Sequence, residues 1–235
     1  MAGETLKTEA VCLSISPWSR TSHVVAWLTP AGRVVTLVRG ATRPKSFFLG
    51  QYDLNYTCEI VYYARAKGDI HALRECFPVS FRDALREDHT CLAVAGYFRT
   101  LASRFAPPGE ESSAWFAWLT DALDALAHDG LSLDLVLRAE LRALDLMGLS
   151  LSFEGAEDAL FLAGERRLPV AKETQGYLQR LATQKNAPKT DEISSEALDA
   201  ARVIGVYYSF HVDGVTDVRR TVFNMMGHKL KRKER

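Results

Sequence analysis

Residues 52–62 read "YDLNYTCEIVY". Tyr52, Leu54, Tyr56, Cys58, Ile60 and Tyr62 alternate with Asp53, Asn55, Thr57 and Glu59. A period of two puts every second side chain on one face of a pleated strand, so the stretch predicts a half-buried β-strand with an aromatic, apolar face. Four segments of similar character surround it: "EAVCLSI", "SHVVAWLT", "RVVTLV" and "DIHALRECF". All are short and rich in β-branched or aromatic residues, with turn signals at Pro30-Ala31-Gly32 and Lys67-Gly68-Asp69 between them. Five strands within residues 1–78 predict a small closed barrel. No helical pattern lies between them to carry parallel crossovers, so the pairing is expected to be largely antiparallel.

Beyond Pro78 the period changes. "CLAVAGYFRTLASRF" reads as a helix stopped by Pro107-Pro108-Gly109, and "AWFAWLTDALDALA" as a second ending before Gly130. "DLVLRAELRALDLMG" places Leu137, Leu141 and Leu144 at i, i+4 and i+7, with Asp134 as the expected N-cap and Gly148 as the stop. "ALFLAGERRLPV" interrupts the helical pattern as a hairpin turning at Gly164. Helices resume with "TQGYLQRLAT", "SEALDAARVIGVYYSFHV" and "TDVRRTVFNMMG", the last ending at Gly227 before a basic tail. The fold class is α+β. Residues 1–78 form the barrel domain and residues 79–235 an all-helical domain with a small hairpin insertion near 153–172.

The chain carries 29 Lys and Arg against 29 Asp and Glu, but the balance is an average of unlike regions. From Ala10 to Tyr52 there is no acidic residue, while Arg20, Arg33, Arg39, Arg43 and Lys45 fall inside. Between Gly109 and Glu165 there are twelve acidic residues, with Arg138 and Arg142 as the sole Arg or Lys. Residues 219–235 turn basic again. Segregation of this kind speaks to partners, and basic segments towards both ends of the chain suit a polyanion. No run approaches the roughly 18 apolar residues of a membrane span, and "MAGETLKTEA" lacks an apolar signal core, so a cytoplasmic protein is expected. Cys12, Cys58, Cys76 and Cys91 are scattered without a CxxC pair, which predicts buried, reduced thiols and no zinc site.

Signatures of catalysis are missing: no GxxxxGK[ST] or GxGxxG phosphate loop, no GxSxG elbow, no HExxH pair. Glu110-Glu111 and Glu157-Asp158 sit in polar surroundings and read as solvated acidic surface rather than as an acid–base pair. Binding chemistry is better represented. "RVVTLVRGATRPKSFF" (33–48) presents Arg39, Arg43 and Lys45 after a strand and ends on Phe47 and Phe48. Such cations can neutralise phosphates, and aromatic rings beside them can stack on exposed bases. The plainer reading is that the phenylalanines begin the core and the cations are solvated.

The pieces "PWSRTS", the Thr29 to Arg33 turn, "RGATRPKS" and "GDIHALRE" together resemble the N-terminal domain of the bacterial RecO family of recombination mediators, which act in DNA repair. The resemblance continues in "RAELRALDLMG" through Arg138, Glu140, Leu141, Leu144 and Gly148, and returns weakly at "VRRTVF". It implies that the five strands form an OB-fold barrel. It also implies a non-enzymatic protein without cofactor that binds single- and double-stranded DNA, anneals complementary strands and helps load RecA onto strands coated with single-stranded DNA-binding protein. The implied partners are RecR and the acidic C-terminal tail of that coating protein, with a nucleoid-associated location. Many members carry two CxxC pairs after the position of Gly148 as a zinc module. This chain has no Cys there, so no zinc is expected and the hairpin stands in the module's place.

On this reading the DNA-binding residues are Arg20, Arg33, Arg39, Arg43, Lys45, Lys67, Arg219 and Arg220. The acidic tail would dock on Arg138, Leu141 and Arg142, with both cations on one helix face by their spacing of four. Two alternatives stay open. One is an OB-fold adaptor that binds proteins and no nucleic acid, and the other is an RNA-binding factor, since OB barrels serve both nucleic acids.

Overall fold

The alternating segments form β1 (Glu4–Ser19), β2 (Ser22–Thr29), β3 (Gly32–Val38), β4 (Thr57–Ala64) and β5 (Ile70–Ser80) in a computed structural model that describes residues 3–65, 68–154, 159–162, 166–183 and 193–233. They close into a barrel in the order β1-β2-β3-β5-β4. The long β1 pairs with β4 through its first half and with β2 through its second, the arrangement of an OB barrel. The pairing is mixed rather than wholly antiparallel, because β3 and β5 run parallel with Val35 opposite Ile70. Geometry forces this correction. An odd number of strands cannot alternate in direction all the way around a closed ring.

The barrel core includes Ala10, Cys12, Val25, Trp27, Cys58 and Ile60. The Trp27 indole N–H inside it donates to Thr36 Oγ1 at 2.8 Å, so a buried donor is satisfied. All four cysteines are free and buried. The alternation in "YDLNYTCEIVY" holds from Cys58 to Tyr62, but the strand begins only at Thr57, and Thr57 and Asn55, expected on the polar face, are buried. Asn55 adopts φ 69°, a left-handed conformation that Asn tolerates better than most residues, and Leu54 before it is exposed instead of joining the apolar face.

Three helices follow: α1 (His89–Phe105), α2 (Ser112–Asp129) and α3 (Leu133–Leu146). The cap of α3 is Ser132, whose Oγ accepts from the Leu135 amide at 3.2 Å, rather than Asp134 in the first turn. Its stop at Gly148 is as expected. Gly148 has φ 72° and donates to Asp145 while Leu149 donates to Leu144, a Schellman termination. The insertion is a three-stranded sheet of β6 (Phe153–Glu154), β7 (Ala159–Phe161) and β8 (Arg167–Pro169), in which β7 and β8 are the expected hairpin pair. Its turn at Gly164 lies outside the described residues. The chain continues with α4 (Lys172–Thr183), α5 (Ser195–His211) and α6 (Thr216–Lys233). α6 runs through Gly227 instead of ending there.

By contact the chain divides into two compact units, one of residues 1–87 and 98–127, the other of residues 88–97 and 128–235. Most of α2 therefore groups with the barrel. Arg82, at φ 52°, accounts for part of this: it donates to Asp124 of α2 at 2.6 Å, and to the Asn55 carbonyl and Thr57 hydroxyl at the foot of β4. Arg99 of α1 donates to the carbonyl of Leu13, which sits at a bulge in β1.

Candidate nucleic-acid interface

Four of the expected cations gather at one end of the barrel. The β1–β2 turn carries Arg20, and the connection 39–56 carries Arg39, Arg43 and Lys45. Hydrogen bonds join the two segments: the Thr42 amide donates to the Thr21 carbonyl at 3.3 Å, and the Gly40 amide to Ser22 Oγ at 3.3 Å. Gly40 takes φ 67°, and the Arg43 side chain folds over it, 3.2 Å from where a Cβ would stand. All four cationic residues are exposed.

The connection is held from inside the barrel. Ala41 is buried, Phe48 packs on the core, and Tyr52 meets Trp27 edge-on while its hydroxyl bonds His23 Nδ1 at 2.8 Å. The Gln51 carbonyl accepts from the thiols of Cys58 and Cys76, each at 3.5 Å. Hydrogen bonding with Cys58 and burial raise the Cys76 pKa, and burial followed by Cys58 raises that of Cys12, so both stay protonated. The result is a connection anchored by its apolar residues with its cations turned outward. Exposed cations so grouped are able to neutralise the phosphates of a polyanion.

The remaining expected contacts lie elsewhere. Arg33 is near the start of β3, about 20 Å from Arg39 at the rise of an extended strand, and its guanidinium donates to the Ser103 carbonyl at 2.9 Å. Lys67 lies outside the described residues. Arg220 is exposed on α6 and pairs with Asp217 at 2.6 Å. Arg219, expected at a DNA surface, is buried in the second unit. It grips Glu140 with two bonds of 2.7 and 2.9 Å, donates to the Ala201 carbonyl, and lies 3.9 Å from the Phe223 ring centre. Its charge is neutralised inside the helical unit rather than presented to a phosphate.

That grip belongs to a network the sequence did not reveal. Glu140 of α3 is 0% exposed and also accepts from the Tyr97 hydroxyl at 2.7 Å, while the Tyr208 hydroxyl donates to its backbone carbonyl at 3.2 Å. Burial works against the Arg219 charge, yet Glu140 more than offsets it and the pKa is raised. A Cβ on Gly205 would stand 2.5 Å from an Arg219 nitrogen, so the missing side chain there makes room for the guanidinium. The sequence held one hint: Glu140 and Arg219 lie in "RAELRALDLMG" and "VRRTVF", the two segments where the family resemblance persists beyond the barrel.

On the same α3, Arg142 is exposed, Arg138 is half-buried and Leu141 is 6% exposed. Leu141 is therefore packed inside the unit rather than lining an open pocket. Asp134, four residues before Arg138, accepts from the Tyr177 hydroxyl. Residues 149–193, which hold the β6–β8 sheet, contain neither Cys nor His, so the thiolate and imidazole donors of a structural zinc site are missing from that stretch. Among the described residues no helix is long and apolar enough to cross a membrane.

Two comparisons bear on this geometry. The family model described as "Recombination protein O C terminal" matches residues 86–156. A protein of Roseiflexus sp. (strain RS-1), named "DNA repair protein RecO", is 30% identical over 149 residues, covering 63% of this chain and 52% of that protein. The chain thus spans about half the length of the curated relative it matches.

Proposed function

We propose, from the similarity to the RecO family that both comparisons carry, that the chain is a non-enzymatic, DNA-binding recombination mediator working in DNA repair. One observation carries the reading. Arg20, Arg39, Arg43 and Lys45 are brought together and left exposed at one end of an OB barrel, within a span free of acidic residues. Each phosphate they neutralise releases condensed counterions, an entropic gain indifferent to sequence. Annealing of complementary strands needs no bond chemistry. It needs charge neutralisation on two strands and contacts weak enough for bases to exchange partners.

The proposed setting is loading of RecA, together with RecR, onto strands coated with single-stranded DNA-binding protein. The acidic tail of the coating protein would meet the α3 face that carries Arg142 and Arg138, where cations stand out from an otherwise acidic region. With Leu141 packed inward, that contact rests on charge rather than on a pocket at Leu141.

A salt titration with labelled single-stranded DNA and RNA of one sequence tests the reading. The parent should bind with a steep log–log salt slope. Replacing Arg39, Arg43 and Lys45 with Ala should flatten that slope by roughly two units, from about 0.7 per lost phosphate contact. An unchanged slope and affinity in a variant that still unfolds at the parent's midpoint would remove the barrel end from the function. Binding of RNA alone would make the protein an RNA factor, and binding of neither a protein adaptor.

A further inference from the structure

Two aromatic side chains stand out at the cationic end. Trp18 is 61% exposed and Phe47 is 95% exposed. Trp18 sits at a β-bulge, where Pro17 faces His23 and Ser19 faces Ser22, leaving the residue between them without a partner on β2. A bulge bends the strand and re-aims a side chain out of the regular alternation. Phe47 owes its exposure to its neighbour. Phe48 is drawn onto the barrel core, which holds the backbone while Phe47 projects into solvent.

Both rings lie in the segments that carry the cations. Trp18 is two residues before Arg20, Phe47 two residues after Lys45, and the two segments are bonded through Thr42 to Thr21 and Gly40 to Ser22. An exposed ring in a solvated basic loop forfeits the burial that normally justifies it. A ligand that is anionic along one edge and flat and aromatic along the other uses both features at once. An unpaired nucleic-acid strand is such a ligand. In a duplex the base faces are already covered by their neighbours in the stack.

We propose that Trp18 and Phe47 form a stacking platform for unpaired bases beside the phosphate-binding cations. This end of the barrel then holds a single strand by bases and backbone, and a duplex by its backbone alone. The inference rests on the reading of this end as the DNA-contacting surface and adds the residues that select strand state.

Intrinsic fluorescence provides the test, because Trp27, Trp115 and Trp118 are buried and Trp18 is the exposed indole of the four. Three probes of equal length are compared: oligothymidylate, an oligomer made wholly of abasic sites, and a duplex. Their binding is followed in parallel by anisotropy of an end label. Oligothymidylate should quench the Trp18 emission saturably, whereas the abasic oligomer and the duplex should bind with little quenching. Trp18→Ala and Phe47→Ala should each weaken oligothymidylate binding by roughly 5- to 100-fold and leave the other two probes unaffected. Trp18→Phe should keep the affinity and lose the signal. Both side chains are exposed, so the variants should keep the parent's far-ultraviolet spectrum.

Oligothymidylate bound without quenching, or affinity losses that are equal for the abasic oligomer, would overturn the platform while leaving the phosphate contacts standing. If no probe binds, the wider reading of this end fails with it. Quenching by anionic lipid vesicles in place of any oligomer would assign the rings to a membrane surface and also overturn the proposal.

Discussion

At the residue scale the most consequential pair is Glu140 with Arg219. Two buried, oppositely charged groups joined by two short bonds offset one another's desolvation, but removing either leaves the other uncompensated. Glu140→Ala should destabilise the protein by about 3–5 kcal/mol, read from the urea midpoint. The joint change Glu140→Leu with Arg219→Met should recover much of that loss, since neither charge then remains. A single variant as stable as the parent would mean that water already reaches the pair. The tyrosines around it add a pH dependence. Burial first, and Glu140 next, raise the Tyr97 pKa well above the ordinary phenol value of 10.0, and burial does the same for Tyr208. The folded state keeps these phenols neutral where the unfolded chain would ionise. Their contribution is complete below the ordinary phenol value and is lost as pH rises from there through the raised, folded-state values. Melting temperature should fall steeply above that point, and less steeply in Tyr97→Phe.

Two glycines show how much an element depends on backbone freedom, with opposite outcomes expected. Gly32, the first residue of β3 after the β2–β3 turn, has φ 124°, and its Cβ would stand 3.3 Å from the Gly109 amide nitrogen. That turn is clasped by the Gly109 amide on the Ala31 carbonyl at 3.1 Å and by Ser112 Oγ on the Thr29 carbonyl at 3.3 Å. Gly32→Ala should cost about 1–3 kcal/mol in chemical unfolding, as a side chain held in a forbidden region does. Gly227 lies within α6 with nothing near its missing Cβ. Gly227→Ala should therefore stabilise the helix by about 0.5–1 kcal/mol, the ordinary difference in helix propensity. Loss of stability in that variant would restore Gly227 as the helix stop.

For the whole molecule, the first unit is larger than the barrel. Residues 1–80 alone would leave Arg33 without Ser103, Leu13 without Arg99, and the β2–β3 turn without residues 109–112. They would also lose Arg82, which links β4 to Asp124. A fragment ending at residue 127 should unfold cooperatively and keep the salt-dependent binding of single strands, whereas one ending at residue 80 should not give a cooperative transition. If the shorter fragment folds and binds like the longer, the barrel is autonomous and the added helices are passengers.

The local rules acted where they had no competitor. Period-two alternation placed the strands, Pro107-Pro108-Gly109 and Gly130 placed helix ends, and Gly148 with Leu149 terminated α3 through bonds to its own last turn. The charge map needed only counting, and it marked the loop whose exposed cations the proposed function uses. What the tertiary structure decided required distant residues to meet. Closure of five strands imposed the parallel β3–β5 pair, because direction around a ring is a property of the whole ring. Exposure sorted Phe47 from Phe48 and singled out Trp18, since a one-residue bulge leaves no composition signal. Arg219 and Arg220 are neighbours in sequence, and one is buried against Glu140 while the other faces water. A helix turns by about 100° per residue, so which of two adjacent arginines points inward is fixed only when the helix docks and a buried carboxylate is there to meet it.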